Sequence, residues 1–360
     1  MIKLDSEHSS SFLSKLIFYA KNHTYHLFIS CSFFIIVGII WLSVIREKKT
    51  VVINQAEDSP LIKFYKSLNF AGEGFPVNDT NCIMLLEKEI NKNKEHPTAL
   101  KSLVNRSVNW FAVIEPILEK NNIPDDFKYL PIIESQFTNV VSPRGATGFW
   151  QFVAGTASNY GLEINEHVDE RYHVEKATEA ACKYFKEAYA QFNNWTLVAA
   201  SYNLGMGGIQ QQLVKQNAKT YYELKLNSET KRYIFKLLAI KALIHHADFF
   251  ELDISFKKSG SVVNHKKIKI DTSITDLKNF SEKHGLSIHI LKQVNPWIVG
   301  DKLICNGDKK YFICIPNKDL VQQIQDQLKR DSIEKVKQME VKKNSDTISD
   351  KHIASLPPVI

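Results

Sequence analysis

The spacing of hydrophobic positions along this chain changes several times, and each change marks a different kind of segment. Residues 27–45 are predominantly apolar and carry no charge. Residues 98–252 repeat apolar side chains every three or four positions, which predicts amphipathic helices. Residues 267–271 and 310–316 alternate apolar and polar side chains, as β-strands do. The pattern predicts a mainly α-helical protein with a small βααβ module.

The apolar run 27–45 is long enough to cross a bilayer as one helix, since a span needs about 20 apolar residues. A cleaved signal peptide would need a shorter apolar core and a small-residue cleavage site, and Arg46-Glu47-Lys48-Lys49 offers none. We therefore expect one uncleaved transmembrane helix that anchors the chain. Basic residues stand on both sides of the run, so charge alone does not orient it.

These changes in texture predict seven segments in the chain. They are an N-terminal tail (1–26), the anchor (27–45), a tether with a leading helix (46–97), a helical domain (98–252), a polar linker (253–262), the βααβ module (263–316) and a charged tail (317–360).

Composition excludes several classes of protein. Hydrophobic residues make up 44% of the 360 positions and charged residues 24%, which is ordinary for globular domains. Five cysteines are too few for a disulfide framework, although Cys305 and Cys314 could pair in an oxidising compartment or stay free. No cysteine–histidine cluster has metal-ligand spacing and no glycine-rich phosphate loop occurs, so we expect neither a metal nor another cofactor.

Positive charge is concentrated near the βααβ module. Residues 256–316 hold eleven lysines and five acidic residues, a surplus of six, while the whole chain carries +7. A basic face could hold the module near an anionic polymer, and a solvated lysine surface is the competing interpretation. Nucleic acid is not an expected partner, because no nucleic-acid-binding motif accompanies the charge.

Glu134 is the first candidate for chemistry. Phe127, Leu130, Glu134 and Phe137 recur at intervals of three and four, so the glutamate lies in an apolar stripe of a predicted helix. A carboxylate there loses hydration, which raises its pKa, and a glutamate protonated near neutral pH can act as a general acid. On periodicity alone, a glutamate at the stripe's edge whose head reaches water is the commoner case.

The residues after this helix favour a ligand site. Residues 142–148 are rich in turn formers, where backbone can approach a ligand closely. Phe149-Trp150-Gln151-Phe152 then places aromatic rings beside an amide, a pairing common in sugar sites. Trp150 could stack on a sugar or belong to the core.

Four ordered motifs resemble the lytic transglycosylase (lysozyme-like) domain over roughly residues 98–252. The motifs are Glu134-Ser135; Gly145-Ala146 with Gly148-Phe149-Trp150-Gln151 and Tyr160-Gly161-Leu162; Ala200-Ser201-Tyr202-Asn203-Leu204-Gly205; and Glu229-Thr230-Lys231-Arg232-Tyr233. Position 201 is serine where the family usually has alanine.

The resemblance implies a lysozyme-like α-helical catalytic domain that acts on peptidoglycan glycan strands. The implied reaction cleaves the β-1,4 bond between N-acetylmuramic acid and N-acetylglucosamine and leaves 1,6-anhydro ends. Glu134 would protonate the glycosidic oxygen and then, as a carboxylate, accept a proton from the carbon-six hydroxyl. The substrate would place the catalytic domain in the cell envelope, in the periplasm or on the outer side of the membrane.

The resemblance also implies substrate-binding roles for five other residues. Gln151 and Asn203 would hydrogen-bond sugar groups, and Tyr233 would orient Glu134 or the substrate. Tyr202 would line the groove, and Ser142 would shape the loop opposite.

The βααβ module resembles the lysin motif, a carbohydrate-binding module. The likeness rests on Asp271-Thr272, Leu291, Asn295-Pro296 and Ile315-Pro316. Ile270 replaces the glycine that usually precedes the Asp-Thr pair, so sugar binding and a purely structural role both stay open.

Two alternatives remain for the function. A lysozyme-type hydrolase would need a second carboxylate, and the candidates near in sequence are Glu163, Glu166, Asp169 and Glu170. None of them lies in a motif that resembles a catalytic partner, and Asp169 is expected to pair with Arg171 instead. An inactive wall-binding scaffold is the other alternative, which the joint presence of Glu134, Gln151 and Asn203 disfavours.

Overall fold

The structure is a computed structural model that describes residues 59–253, 265–307 and 309–330. The chain divides into two units, Met1–Leu68 and Asn69–Ile360. In the first unit the described part centres on helix α1, Pro60–Ser67, whose N-terminus is capped by the Ser59 hydroxyl.

Among its described residues, the second unit begins with a short hairpin and continues through eight helices before the βααβ module. The elements are β1 (Asn69–Phe70), β2 (Glu73–Gly74), α2 (Thr80–Lys94), α3 (Pro97–Lys120), α4 (Leu130–Ser135), α5 (Ala154–Asn159), α6 (Val174–Phe192), α7 (Trp195–Leu204), α8 (Met206–Gln216) and α9 (Ser228–His245). Three short 3₁₀ turns, Asp125–Tyr129, Glu170–Tyr172 and Tyr221–Glu223, join some of the helices.

Helix α9 runs through the middle of this helical part. It begins where the Asn227 side chain accepts hydrogen bonds from the next backbone amides. Eleven of its residues are buried, and it packs against α2, α4 and α7. A helix that is apolar on most sides must be covered on most sides, which makes α9 the support for the elements around it.

Residues 69–94 pack against the later helices, and the pattern of their own sequence does not predict this contact. The Glu73 carboxylate accepts hydrogen bonds from the backbone amides of Trp195 and Thr196, at 2.5 and 2.8 Å, and so caps α7. Glu89, on α2, is buried and pairs with Arg232 on α9. The leading helix predicted from sequence is therefore tied to the helical domain by long-range polar contacts.

The C-terminal module has the predicted strand, helix, helix, strand order. Its elements are β3 (His265–Ile270), α10 (Leu277–Lys283), α11 (Ile288–Val294) and β4 (Tyr311–Pro316). The two strands are antiparallel, with Ile270 opposite Tyr311 and His265 opposite Pro316. Cys305 and Cys314 are free thiols in this module, and the Cys305 Sγ donates to the Ile270 carbonyl at 3.6 Å.

The predicted transmembrane helix, residues 27–45, lies outside the described residues. In the part of the chain that the structure describes, none of the helices is both long enough and apolar enough to cross a bilayer. The anchor therefore stays a prediction from sequence.

Candidate active site

A cleft of about 570 Å³ lies in the helical part of the second unit. Glu134 lines it, together with four of the five residues predicted to bind substrate: Ser142, Gln151, Tyr202 and Asn203. Long-range folding has thus brought the motifs of residues 134, 142–151 and 202–203 to one surface.

Glu134 lies in the last turn of the short helix α4. The helix ends at once because Gln136 and Phe137 both take left-handed backbone conformations, with φ of 53° and 54°. The neighbouring Ser135 hydroxyl donates to the Phe149 carbonyl at 2.9 Å, which ties this helix end to the loop opposite. Glu134 is therefore held by the helix that precedes it and by the contact that Ser135, the next residue, makes with the opposite loop.

The environment of Glu134 brings its pKa close to neutral pH, so that its protonated and ionised forms coexist there. Burial raises the pKa of Glu134 to about 7, and the negative charge of Glu229 also raises it. The hydrogen bond from Tyr233 and the positive charge of Lys236 act in the opposite direction, because both stabilise the carboxylate. A group with this pKa can both donate and accept a proton at neutral pH.

Tyr233 supports Glu134 from behind the cleft. Its hydroxyl donates to Glu134 Oε1 at 2.5 Å, and its side chain, on α9, is only 3% exposed. The cleft lining does not include Tyr233. Of the two roles predicted for Tyr233, this geometry favours orienting the glutamate over direct contact with a ligand.

The loop of residues 142–152, here termed the cleft loop, forms one wall of the cleft. The Ser142 amide donates to the Ala146 carbonyl at 2.8 Å, and the Ser142 hydroxyl accepts from the Ala146 amide at 3.0 Å. Gln151 has φ of 50°, and its Nε2 donates to the Val140 and Gly148 carbonyls at 3.1 and 2.8 Å. Both predicted residues are thus held by backbone groups of the cleft loop and, for Gln151, also by the Val140 carbonyl just before it.

Trp150 belongs to the core. It is fully buried, and its Nε1 donates to the Thr178 hydroxyl at 2.9 Å. Of the two roles left open by the sequence, stacking on a ligand is therefore wrong for this residue, because no face of the ring reaches the cleft.

Tyr202 and Asn203 reach the cleft from the end of α7. The Tyr202 hydroxyl donates to the Trp150 carbonyl at 2.7 Å, which fixes the ring against the cleft loop. Asn203 Oδ1 accepts from the Thr230 hydroxyl at 2.8 Å, and its Nδ2 donates to Glu229 Oε1 at 3.3 Å. Asn203 therefore links the end of α7 to the start of α9.

Glu229 is a carboxylate of the cleft that was not among the site residues predicted from the sequence. It lines the same cleft as Glu134 and stands four positions before Tyr233 on α9, so both project from one helical face. That spacing within the fourth motif was a signal for its proximity to Glu134.

The four carboxylates considered as hydrolase partners lie elsewhere. Glu163, Glu166, Asp169 and Glu170 pair with Lys309, His167, Arg171 and Lys176 respectively, and none of the four lines the cleft. The predicted pair of Asp169 and Arg171 is confirmed, with Nη2 and Oδ2 separated by 2.7 Å.

Comparisons with known proteins identify both parts of the second unit. Residues 111–225 match the family model of the transglycosylase SLT domain, and residues 266–319 match that of the C-terminal LysM-like domain of soluble lytic transglycosylases. The chain contains a transglycosylase SLT domain. The matched residues include Glu134, Ser142, Gln151, Tyr202 and Asn203, while Tyr233 lies just beyond them.

Two curated relatives are similar to parts of the chain. The chain is 25% identical over 251 residues to membrane-bound lytic murein transglycosylase D of Escherichia coli (strain K12), which covers 68% of this chain and 53% of the relative. A protein of Alteromonas sp. (strain M-1) named for tributyltin chloride resistance is 30% identical over 122 residues, 31% of this chain and 59% of that protein. The chain spans about half the length of the curated relatives it matches.

A solved structure, the 70 kDa soluble lytic transglycosylase of Escherichia coli, is similar with 22% identity and a TM-score of 0.33, over 41% of this chain and 26% of that one. The predicted resemblance to lytic transglycosylases and the LysM-like nature of the C-terminal module are confirmed by the family matches and the murein transglycosylase relative.

Proposed function

We propose that this chain is a peptidoglycan lytic transglycosylase in which Glu134 is the one acid–base group. The observation that carries the proposal is the state of Glu134: a carboxyl in the wall of an SLT cleft, hydrogen-bonded to Tyr233, with a pKa of about 7. The SLT and LysM-like family matches and the murein transglycosylase relative support the same substrate.

The reaction needs a proton to move twice through the same group. Protonated Glu134 gives its proton to the oxygen of the β-1,4 bond between N-acetylmuramic acid and N-acetylglucosamine as the carbon–oxygen bond breaks. The resulting carboxylate, stabilised by the Tyr233 hydroxyl, then accepts the proton of the carbon-six hydroxyl as its oxygen bonds to carbon one. The product is a 1,6-anhydro end, no water is consumed, and Glu134 regains its proton.

The other cleft residues hold the sugar for this reaction. Gln151 and Asn203 present amides to the sugar substituents, and Tyr202 lines the same cleft. Ser142 shapes the cleft loop, and Tyr233 positions Glu134. Each of these side chains is already held by a protein hydrogen bond, which reduces the entropy lost when the sugar binds.

A lysozyme-type hydrolase is the second candidate, and one observation favours it. Glu229 lines the cleft together with Glu134, and hydrolysis uses a second carboxylate. In the transglycosylase reaction Glu229 instead raises the pKa of Glu134 and binds Asn203.

We place the enzyme in the cell envelope, on the membrane through residues 27–45. The apolar length of that run supports the anchor, and a relative whose name describes it as membrane-bound supports the location.

Substitution of Glu134 tests the proposed function. In Glu134→Gln the amide can neither give nor accept the proton, so release of soluble fragments from purified peptidoglycan should fall by at least about 100-fold, the usual contribution of general acid–base catalysis. Glu187→Gln makes the same chemical change on the exposed face of α6 and should keep wild-type activity. A Glu134→Gln protein that solubilises peptidoglycan at the control rate would contradict the assignment.

A further inference from the structure

One loop lies within the sequence of the SLT domain, but one of its side chains packs in the core of the LysM-like module. The loop of residues 163–173, here termed the bridging loop, precedes α6. Its Val168 is 1% exposed and lies in the apolar core that the module builds around residues such as Leu291, Trp297 and Ile313. The module's core is therefore completed by a residue of the SLT domain.

Backbone hydrogen bonds fix the bridging loop to the module in a β-like register. Val168 pairs with Ile298, and the Asp169 amide donates to the Trp297 carbonyl at 2.9 Å. The His167 carbonyl accepts from the amides of Val299 and Gly300 at 3.0 and 3.1 Å. Paired backbone of this kind sets orientation as well as contact.

The module approaches the bridging loop too closely for a side chain at Gly300. A Cβ there would lie 2.7 Å from the Cα of His167 and 2.8 Å from the carbonyl oxygen of Glu166. Polar contacts extend the interface, because the Glu163 carboxylate accepts from Lys309 Nζ at 2.5 Å and from the Tyr311 hydroxyl at 3.1 Å.

The same loop holds the cleft loop on its other side. Asp169 orients the Arg171 guanidinium, and Arg171 Nη1 then donates to the carbonyls of Gly145 and Phe152 at 2.9 and 3.3 Å. Gly148 lies so close to Arg171 that an added Cβ would come within 2.0 Å of the Arg171 carbonyl oxygen. The bridging loop thus lies between the module and the wall of the cleft that carries Ser142 and Gln151.

We propose that the LysM-like module positions the cleft loop of the SLT domain through the bridging loop, with Arg171 as the positioning residue. The inference rests on the proposed function and adds to it a role for the module in the cleavage of each bond. The module's hold on residues 167–169 fixes Asp169 and Arg171, and Arg171 fixes both ends of the cleft-loop segment 145–152. A module that only tethered the enzyme to the wall would not share its core with this loop.

Gly300→Ala in the full-length chain tests the proposal, because the added methyl must push the bridging loop away. We expect kcat/KM on soluble glycan oligomers to fall on the order of tenfold, mainly through KM, since a misplacement of about 1 Å can cost up to about 100-fold. We also expect faster hydrogen exchange at the amides of Thr147 and Gln151, which donate within the cleft loop. Amides in α9 should keep their protection.

Gly285→Ala is the matched control in the same module. Gly285 has φ of 70°, so alanine strains the end of α10, but its Cβ would meet no atom within 4 Å. It should lower the unfolding temperature, because it strains the backbone of the module. It should leave both the kcat/KM and the hydrogen exchange of the cleft loop unchanged, because it does not move the bridging loop.

Glu163→Gln is a second variant that tests the same positioning role of the module if Gly300→Ala fails to fold. It keeps the side chain's shape and weakens its bonds to Lys309 and Tyr311, so we expect a smaller rise in cleft-loop exchange and a smaller loss of kcat/KM. Wild-type values in the variants that fold, or equal effects of the two glycine variants, would overturn the proposal. A wild-type enzyme inactive on glycans would refute the proposed function, while the exchange experiment would still test the positioning.

Discussion

The hydrogen bond between Tyr233 and Glu134 should set the upper end of the pH range in which the enzyme works. Tyr233→Phe removes only a hydroxyl from a buried ring, and that hydroxyl donates to Glu134 Oε1 at 2.5 Å. The bond stabilises the carboxylate and so lowers the pKa of Glu134. Its loss must therefore raise that pKa above the present value of about 7.

The size of the change follows from the strength of the bond. A hydrogen bond to a charged group contributes about 1.5–3 kcal/mol, and 1.36 kcal/mol corresponds to one pH unit. The protonated carboxyl keeps part of the bond, so we take the lower end of the range and expect a rise of about one pH unit.

The alkaline limb of kcat/KM on soluble glycan oligomers reports this pKa in the free enzyme, because Glu134 must be protonated to act as the acid. We expect the limb near pH 7 in the wild type and about one unit higher in Tyr233→Phe, with a lower plateau because the carboxyl is less well held. Tyr202→Phe is the matched control, since its hydroxyl donates to Trp150 and not to Glu134. A limb that moves to lower pH, or that moves equally in both variants, would refute the reasoning.

Four other predictions follow from the same contacts. Folding raises the pKa of Glu134 from 4.5 to about 7, so the contribution of this group to stability is present below pH 4.5 and is lost as pH rises through 7. Glu134→Gln should therefore raise the free energy of unfolding above pH 7 by about 3 kcal/mol and have little effect at pH 4. An equal effect at both pH values in urea titrations would contradict this. Glu229→Gln should lower the pKa of Glu134 and move the alkaline limb to lower pH, and an upward move would be inconsistent with the charge effect. Glu73→Gln should weaken the cap of α7 and cost about 1 kcal/mol, seen as a lower unfolding temperature; an unchanged temperature would deny the cap's role. Gly148→Ala should cost more than about 2 kcal/mol, since φ is 76° and the methyl would overlap the Arg171 carbonyl, and a folded protein of wild-type stability would count against that packing.

Local periodicity was sufficient to predict the long helices α3, α6 and α9 and the βααβ order of the module. It did not predict α8, because Gly207 and Gly208 weaken the helical pattern there. The spacing of Phe127, Leu130, Glu134 and Phe137 placed Glu134 among apolar neighbours, and the structure raises its pKa through burial, as that placement implies. The resemblance added Ser142, Gln151, Tyr202 and Asn203, which all line the cleft. These features depend on residues close in sequence or on whole motifs.

Contacts between distant segments could not be predicted in this way. The cap that Glu73 places on α7 joins residues more than 120 positions apart, and nothing in either segment's pattern indicates the other. The insertion of Val168 into the module's core likewise crosses a predicted domain boundary. Hydrophobic spacing states which side of an element is buried, but not which partner covers it.

The identity of the sugar ends tests the central claim most directly. Purified peptidoglycan would be digested with the protein and with Glu134→Gln, and the masses of the released fragments measured. The account predicts 1,6-anhydro ends, lighter than reducing ends by one water, from the wild type and no fragments from the variant. Reducing ends that have gained water would contradict the single-carboxylate mechanism and assign the second role to Glu229, the other carboxylate among the described cleft residues.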